Sequence, residues 1–161
     1  MVGKLIFQSV VRMKVSWDEQ ILDEELGRKW QLWLTELEKC EGFRMPRSIL
    51  PSKGNLKDMN FELVGCSDGS SVAYGSAVYI RWYNEKENCV ELKFIAGKGK
   101  LNPIKGTTVP RSELCGALLA AQLLHSAEKT LKDSEIGEHF RDKLLLSDST
   151  TAISWVKSAP I

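Results

Sequence analysis

Between Thr107 and Leu124 the chain reads T-T-V-P-R-S-E-L-C-G-A-L-L-A-A-Q-L-L. Leu114, Ala117, Leu118, Ala121, Leu124 and His125 recur there at three- and four-residue steps, and Pro110 stands where a helix would open. This predicts a buried helix running to about Leu131. One carboxylate, Glu113, sits in its first turn, where the helix dipole by itself favours an acid. Two further acids each end a strand-like run: Asp68 in V-G-C-S-D-G-S-S and Asp148 in L-L-L-S-D-S-T-T. Two carboxylates at strand tips and one opening a buried helix read as a candidate metal site.

The chain has 161 residues and 43% apolar content, which suits one domain with at most a short appendage. A net charge of +1 gives no global argument for nucleic acid, so any such signal must be local. Cys40, Cys66, Cys89 and Cys115 form no C-x-x-C pair, and only His125 and His139 offer imidazole. Zinc-finger spacing is absent, and a reduced, intracellular setting is expected. No secretory leader is seen, and no apolar run approaches the roughly 20 residues of a membrane span.

Residues 1 to 20 mix apolar and polar positions without a clear period, and Trp17 to Glu19 reads as a turn or helix entrance. From Ile21 to Lys39 the residues Ile21, Leu22, Leu26, Trp30, Trp33, Leu34 and Leu37 trace one helical stripe. A tryptophan stripe of this kind is a packing face, so the helix needs a partner. Gly42, Pro46, Pro51, Ser52 and Gly54 make a loop-rich passage, and the domain boundary is placed near residue 60. Asn60–Asp68, Ala73–Tyr83 and Cys89–Ala96 read as an antiparallel meander, with a polar turn over Asn84–Asn88. Lys132–Asp142 is open between helix tail, loop and insertion. Lys143–Ser147 suits a buried parallel strand, and Ser149 or Thr150 a cap for a last helix stopping at Pro160.

If the first and fourth strands are neighbours, Asp68 and Asp148 lie side by side, and a helix opening over them adds Glu113. Like charges so close raise each other's pKa, a cost that divalent cations remove. Oxygen-only ligands favour Mg²⁺ or Mn²⁺ over zinc, and two such ions about 3.5–4 Å apart suit phosphodiester hydrolysis. The alternative is that these are ordinary turn aspartates.

The element order and the carboxylate placement resemble the ribonuclease H fold. The wording of the motifs resembles one branch of it, the reverse-transcriptase polyproteins of Bel-Pao long-terminal-repeat retrotransposons. The matching stretches include W-D-E-Q-I from Trp17, K-W-Q-L-W-L from Lys29, M-P-R from Met45 and S-D-G-S-S-V-A-Y-G-S-A-V-Y from Ser67. The V-P-R-S-E-L-C-G-A-L-L-A-A-Q-L-L block and L-S-D-S-T-T-A-I-S-W from Leu146 complete them, so the resemblance covers nearly the whole chain. It implies an α/β domain with a mixed sheet, three antiparallel strands followed by a parallel one. Residues 1–60 would then be a mostly helical connection from the polymerase, and residues 61–161 the nuclease domain. Asp68, Glu113 and Asp148 match the first three metal-binding carboxylates of the fold. The implied cofactor is Mg²⁺, two ions in a complete domain, with Mn²⁺ possible. The implied substrate is an RNA–DNA hybrid, read by shape and 2′-hydroxyls. The implied partners are the remainder of the polyprotein, reverse transcriptase and integrase, in a cytoplasmic retroelement particle and not on a membrane.

Two departures stand out. Gly69 replaces a more usual alanine, a change expected to be harmless to ligation. The fold's fourth carboxylate comes from a later helix, so the chain is expected to be a C-terminally incomplete domain, weakly active or inactive alone.

Lys93 to Arg111 carries Lys93, Lys98, Lys100, Lys105 and Arg111 and no acid. It is either a solvated loop or a backbone-binding arm beside the metal site, its glycines admitting a close nucleic acid strand. Against a hybrid-cutting nuclease stands an inactive scaffold within the same polyprotein. An aspartic peptidase is a weaker alternative, because Asp68-Gly69-Ser70 and Asp148-Ser149-Thr150 are not D-T-G or D-S-G triplets.

Overall fold

The computed structural model describes residues 1–84, 86 and 88–158. Part of the polar turn expected over Asn84–Asn88, and the helix stop expected at Pro160, lie outside the described residues. The chain forms two compact units, Met1–Pro46 with Pro103–Lys105, and Arg47–Asn102 with Gly106–Ile161.

The first unit pairs two helices, α1 (Val2–Met13) and α2 (Glu24–Glu38). Asp23 caps α2 by accepting a hydrogen bond from the Leu26 backbone N–H at 2.8 Å. The tryptophan stripe finds its partner in α1, which the sequence did not disclose as a helix. Phe7 meets Trp30 edge-on with ring centroids 6.0 Å apart, and Trp30 and Trp33 lie 4.9 Å apart. Gly3 lets the helices close up, since a Cβ there would sit 2.6 Å from the Trp33 ring. Ile21 and Leu22, part of the stripe expected from sequence, precede α2 and are exposed.

The second unit is a four-stranded mixed sheet carrying a long helix. Its elements are β1 (Asn60–Gly69), β2 (Ala73–Asn84), β3 (Cys89–Leu101), α3 (Val109–Lys132), β4 (Phe140–Ser147) and α4 (Thr150–Ser158). The strand order is β3-β2-β1-β4, with β1 antiparallel to β2 and parallel to β4. Met59, Phe61, Leu63, Val78, Ile80 and Trp82 bury one face of the sheet against Leu124 and Leu131 of α3. The indole N–H of buried Trp82 donates to the Ile49 carbonyl at 2.7 Å. That bond ties the segment ahead of β1 to the same core.

Three expectations are corrected. β3 does not stop at Ala96 but runs to Leu101, pairing Gly97, Gly99 and Leu101 with Ala77, Gly75 and Ala73. Two glycines among lysines weaken the strand signal there, and pairing with β2 overrides it. The buried face of α3 is turned from the expected one. Gly116, Ala117, Leu119, Ala120, Leu124 and Leu131 are buried, whereas Leu118, Ala121 and His125 are exposed. Finally, β4 is not buried: Leu144, Leu145 and Leu146 are 42, 41 and 52% exposed. It is the edge strand of the described sheet and pairs with β1 alone, and its contacts with α3 and α4 leave the apolar run part-exposed.

Candidate functional site

The three carboxylates gather at one end of the sheet. β1 and β4 run in parallel register with Ser67 beside Ser147, so Asp68 and Asp148 follow at adjacent positions. Glu113 links them. A Cβ on Gly69 would lie 2.5 Å from the Glu113 backbone nitrogen and 2.6 Å from the Ser112 carbonyl carbon. One on Gly116 would lie 2.9 Å from the Asp68 carbonyl oxygen. These two glycines therefore let the start of α3 rest directly on the tip of β1. Glycine at position 69 thus has a packing consequence separate from ligation: it sets the helix-to-strand distance. On its other side, the Glu113 carboxylate accepts a hydrogen bond from the hydroxyl of buried Ser149, next to Asp148.

Further bonds hold the start of α3 in place. Ser112, fully buried, donates to the Asn102 side-chain oxygen at 3.1 Å, and Asn102 donates to the Ser70 carbonyl at 2.8 Å. The helix begins at Val109, so Glu113 lies just past the first turn, which holds no acid. The dipole effect fades within that turn, and this removes the simplest structural reason for an acid at 113. Arg111, by contrast, is a cation inside the positive end of the dipole, a placement the helix itself disfavours.

Among the described residues, no group of three or more His, Cys, Asp and Glu side chains is drawn close enough to hold a metal ion. Side-chain direction accounts for this. On β1, Gly65 and Gly69 lie against α3, so alternation puts Asp68 on the opposite face of the sheet. Asp68 is exposed and its Oδ1 accepts from its neighbour Gly69 N–H at 2.7 Å, while Glu113 is taken by Ser149. The donor set itself, three carboxylates with two exposed, is of the kind that suits a hard divalent cation.

The basic run divides. Lys98 and Lys100 are exposed at alternate positions of β3, opposite Ser76 and Tyr74 of β2, and Arg111 is exposed at the start of α3. Lys105 belongs to the first unit. The expected arm is thus a strand through Leu101, with a loop only after it. Sequence reasoning missed Ser149 and Asn102, whose polar side chains hold Glu113 and the start of α3. The sequence marks Ser149 only as a possible cap, which it also is: it accepts from the Ala152 N–H at 3.1 Å.

A mixed sheet with β4 parallel to β1, a long helix across it, and acids at the tips of β1, β4 and the helix start define a ribonuclease H-like domain. The chain matches the family described as Pao retrotransposon-like RNaseH-like domain over residues 1–148, and it belongs to that family. No curated protein matches it. Family membership implies a nuclease-type function, a nucleic acid substrate and a polyprotein setting. Among the described residues, no helix is long and apolar enough to cross a membrane.

Proposed function

We propose that this domain hydrolyses the RNA strand of RNA–DNA hybrids, with Asp68, Glu113 and Asp148 as ligands for divalent metal ions, as the nuclease part of a reverse-transcriptase polyprotein. The observation that carries the reading is the double role of Glu113. Its backbone rests on the residue after Asp68, and its carboxylate is bonded by the residue after Asp148. An acid placed for packing alone gains nothing from that position, and the dipole does not reward it. Mg²⁺, or Mn²⁺ in its place, would supply an activated water and charge stabilisation at the leaving oxygen.

The chain's own residues do the positioning. Asp68 and Asp148 are exposed carboxylates that a rotation about the side-chain bonds turns toward a common ion. Ser149 orients Glu113 as partners of ligating carboxylates do. Lys98, Lys100 and Arg111 meet backbone phosphates. The test is cleavage of labelled hybrid with Mg²⁺ or Mn²⁺ by the wild-type polyprotein that carries this domain and by its Asp68→Asn, Glu113→Gln and Asp148→Asn variants. Each substitution is expected to lower the rate by at least about a hundredfold with the fold intact. Undiminished cleavage by Asp68→Asn would remove that residue from the site. Binding of hybrid without any cleavage by that wild-type polyprotein would make the domain a scaffold instead.

A further inference from the structure

The end of the second unit's sheet away from Asp68 holds a polar recess that the proposed nuclease chemistry does not use. It is a cavity of about 500 Å³ whose lining includes Lys57, Asp58, Asn60, Lys86, His139 and Arg141. The turn before β1, the turn after β2 and the residues around the start of β4 come together there, so the cluster is invisible as a sequence motif. Among the described residues that line it, three side chains are cations and one is an acid.

These cations differ from others in the same unit. Lys93, Lys132 and Lys143 each have a carboxylate partner, on Glu91 or Glu128. Among the described residues, Lys57, Lys86 and Arg141 have no such partner. Arg141 is held along one edge, where Nη1 donates to the carbonyls of Glu138 at 2.8 Å and Phe140 at 3.0 Å. The rest of its planar fork remains for a ligand. His139 is 9% exposed, and its Nδ1 donates to the Met59 carbonyl at 2.9 Å, which fixes the ring. Its Nε2 lies 3.4 Å from the Glu138 carboxylate, a side chain that is 80% exposed and able to swing away. Cations with no carboxylate partner among the described residues, set around a concave wall with a fixed imidazole and an amide from Asn60, match the many acceptor oxygens of one ligand type.

We propose that this recess binds a phosphate oxyanion. The anion site stands on its own geometry. That the phosphate belongs to a nucleic acid backbone rests on the proposed function. Asn60 begins β1 and Asp68 lies one residue before its end, and eight steps of about 3.3 Å separate them by roughly 26 Å. A single duplex therefore reaches both ends of the strand only if it is longer than about eight base pairs at 3.4 Å each.

The test follows the imidazole signals of His139 by NMR in the full chain during titration with inorganic phosphate, with chloride at equal ionic strength as control. Saturable shifts with phosphate alone are expected, and Lys57→Gln should weaken binding about tenfold while leaving the thermal melt unchanged. Arg141→Lys, which keeps the charge and loses the fork, should weaken it as well. Absence of shifts, shifts matched by chloride, or an unchanged affinity in both variants would overturn the site. Hybrids shorter and longer than about eight base pairs then separate the sources. His139 signals that move only with the longer hybrid support a backbone phosphate. Signals that move with inorganic phosphate and with neither hybrid overturn that assignment and leave a site for a free anion. Loss of cleavage in Asp68→Asn bears on neither result.

Discussion

Ser149 donates its hydroxyl to the Glu113 carboxylate and accepts, at 3.1 Å, the backbone N–H of Ala152. One side chain thus begins α4 and holds the acid at the start of α3. The two roles are separable. Ser149→Ala removes both and should cost about 1 kcal/mol or more in urea unfolding, the usual value of a lost cap. Ser149→Asp keeps an acceptor for Ala152 but cannot donate to Glu113, so it should retain most of that stability while impairing hybrid cleavage. Equal stability losses in the two variants would show that the Glu113 bond, not the cap, carries the effect.

Gly69→Ala tests the contact between β1 and α3. The added methyl would meet backbone at 2.5 and 2.6 Å, which no side-chain rotation relieves. The helix start must move, and destabilisation of about 1–3 kcal/mol is expected, the range for overpacking. Unchanged unfolding in denaturant would show that α3 shifts without resistance.

Two acids make the protein's stability depend on low pH. Glu91 is pulled down to about 2, first by Lys93 and then by the backbone and hydroxyl of Ser52. Glu128 is pulled down to about 2 by Lys132 and then Lys143. Both lie below the ordinary 4.5, so their stabilising effect is complete above that pH and is lost as pH falls from 4.5 toward 2. Glu128→Gln should be less stable than wild type at neutral pH, and the gap should close as pH falls through about 2. The gap should be small and shrink in salt, because the groups are solvated. A gap that widens on acidification would contradict the assignment.

Lys98 and Lys100, on alternate positions of β3, give a salt prediction. Replacing both with Gln should weaken hybrid binding and flatten its dependence on log salt, by up to about 0.9 for each phosphate no longer neutralised. An unaltered slope would return them to an ordinary solvated strand edge.

The meander and α3 were legible because their residues speak locally: β-branched and aromatic runs for strands, small apolar repeats for the helix. The parallel placement of β4 followed from the L-L-L run ending in Ser147-Asp148. What stayed hidden depends on partners distant in sequence. α1 is helical because its face, from Gly3 to Phe7, packs on Trp33 and Trp30, and its adjacent Val10 and Val11 blur the period. The end of β3 was masked by Gly97 and Gly99. The approach of Glu113 to the tips of β1 and β4 was foreseeable from element order, but the direction of the Asp68 side chain was not. It depends on which face of β1 the helix covers. The cationic recess draws on residues 57 to 141 and carries no local pattern at all.

The pairing of β4 with β1 also bears on how the chain reaches its native state. β1, β2 and β3 join through short connections, but β4 must return to β1 across two strands and the whole of α3. Closing so long a loop is entropically costly before any contact rewards it. The meander should therefore form first, with substitutions such as Ile80→Val slowing folding. Substitutions in β4 such as Leu145→Ala should mainly speed unfolding. Asp68 and Asp148 become neighbours only at the final step, so a chain arrested before it has a formed hairpin and a buried tryptophan but no paired acids.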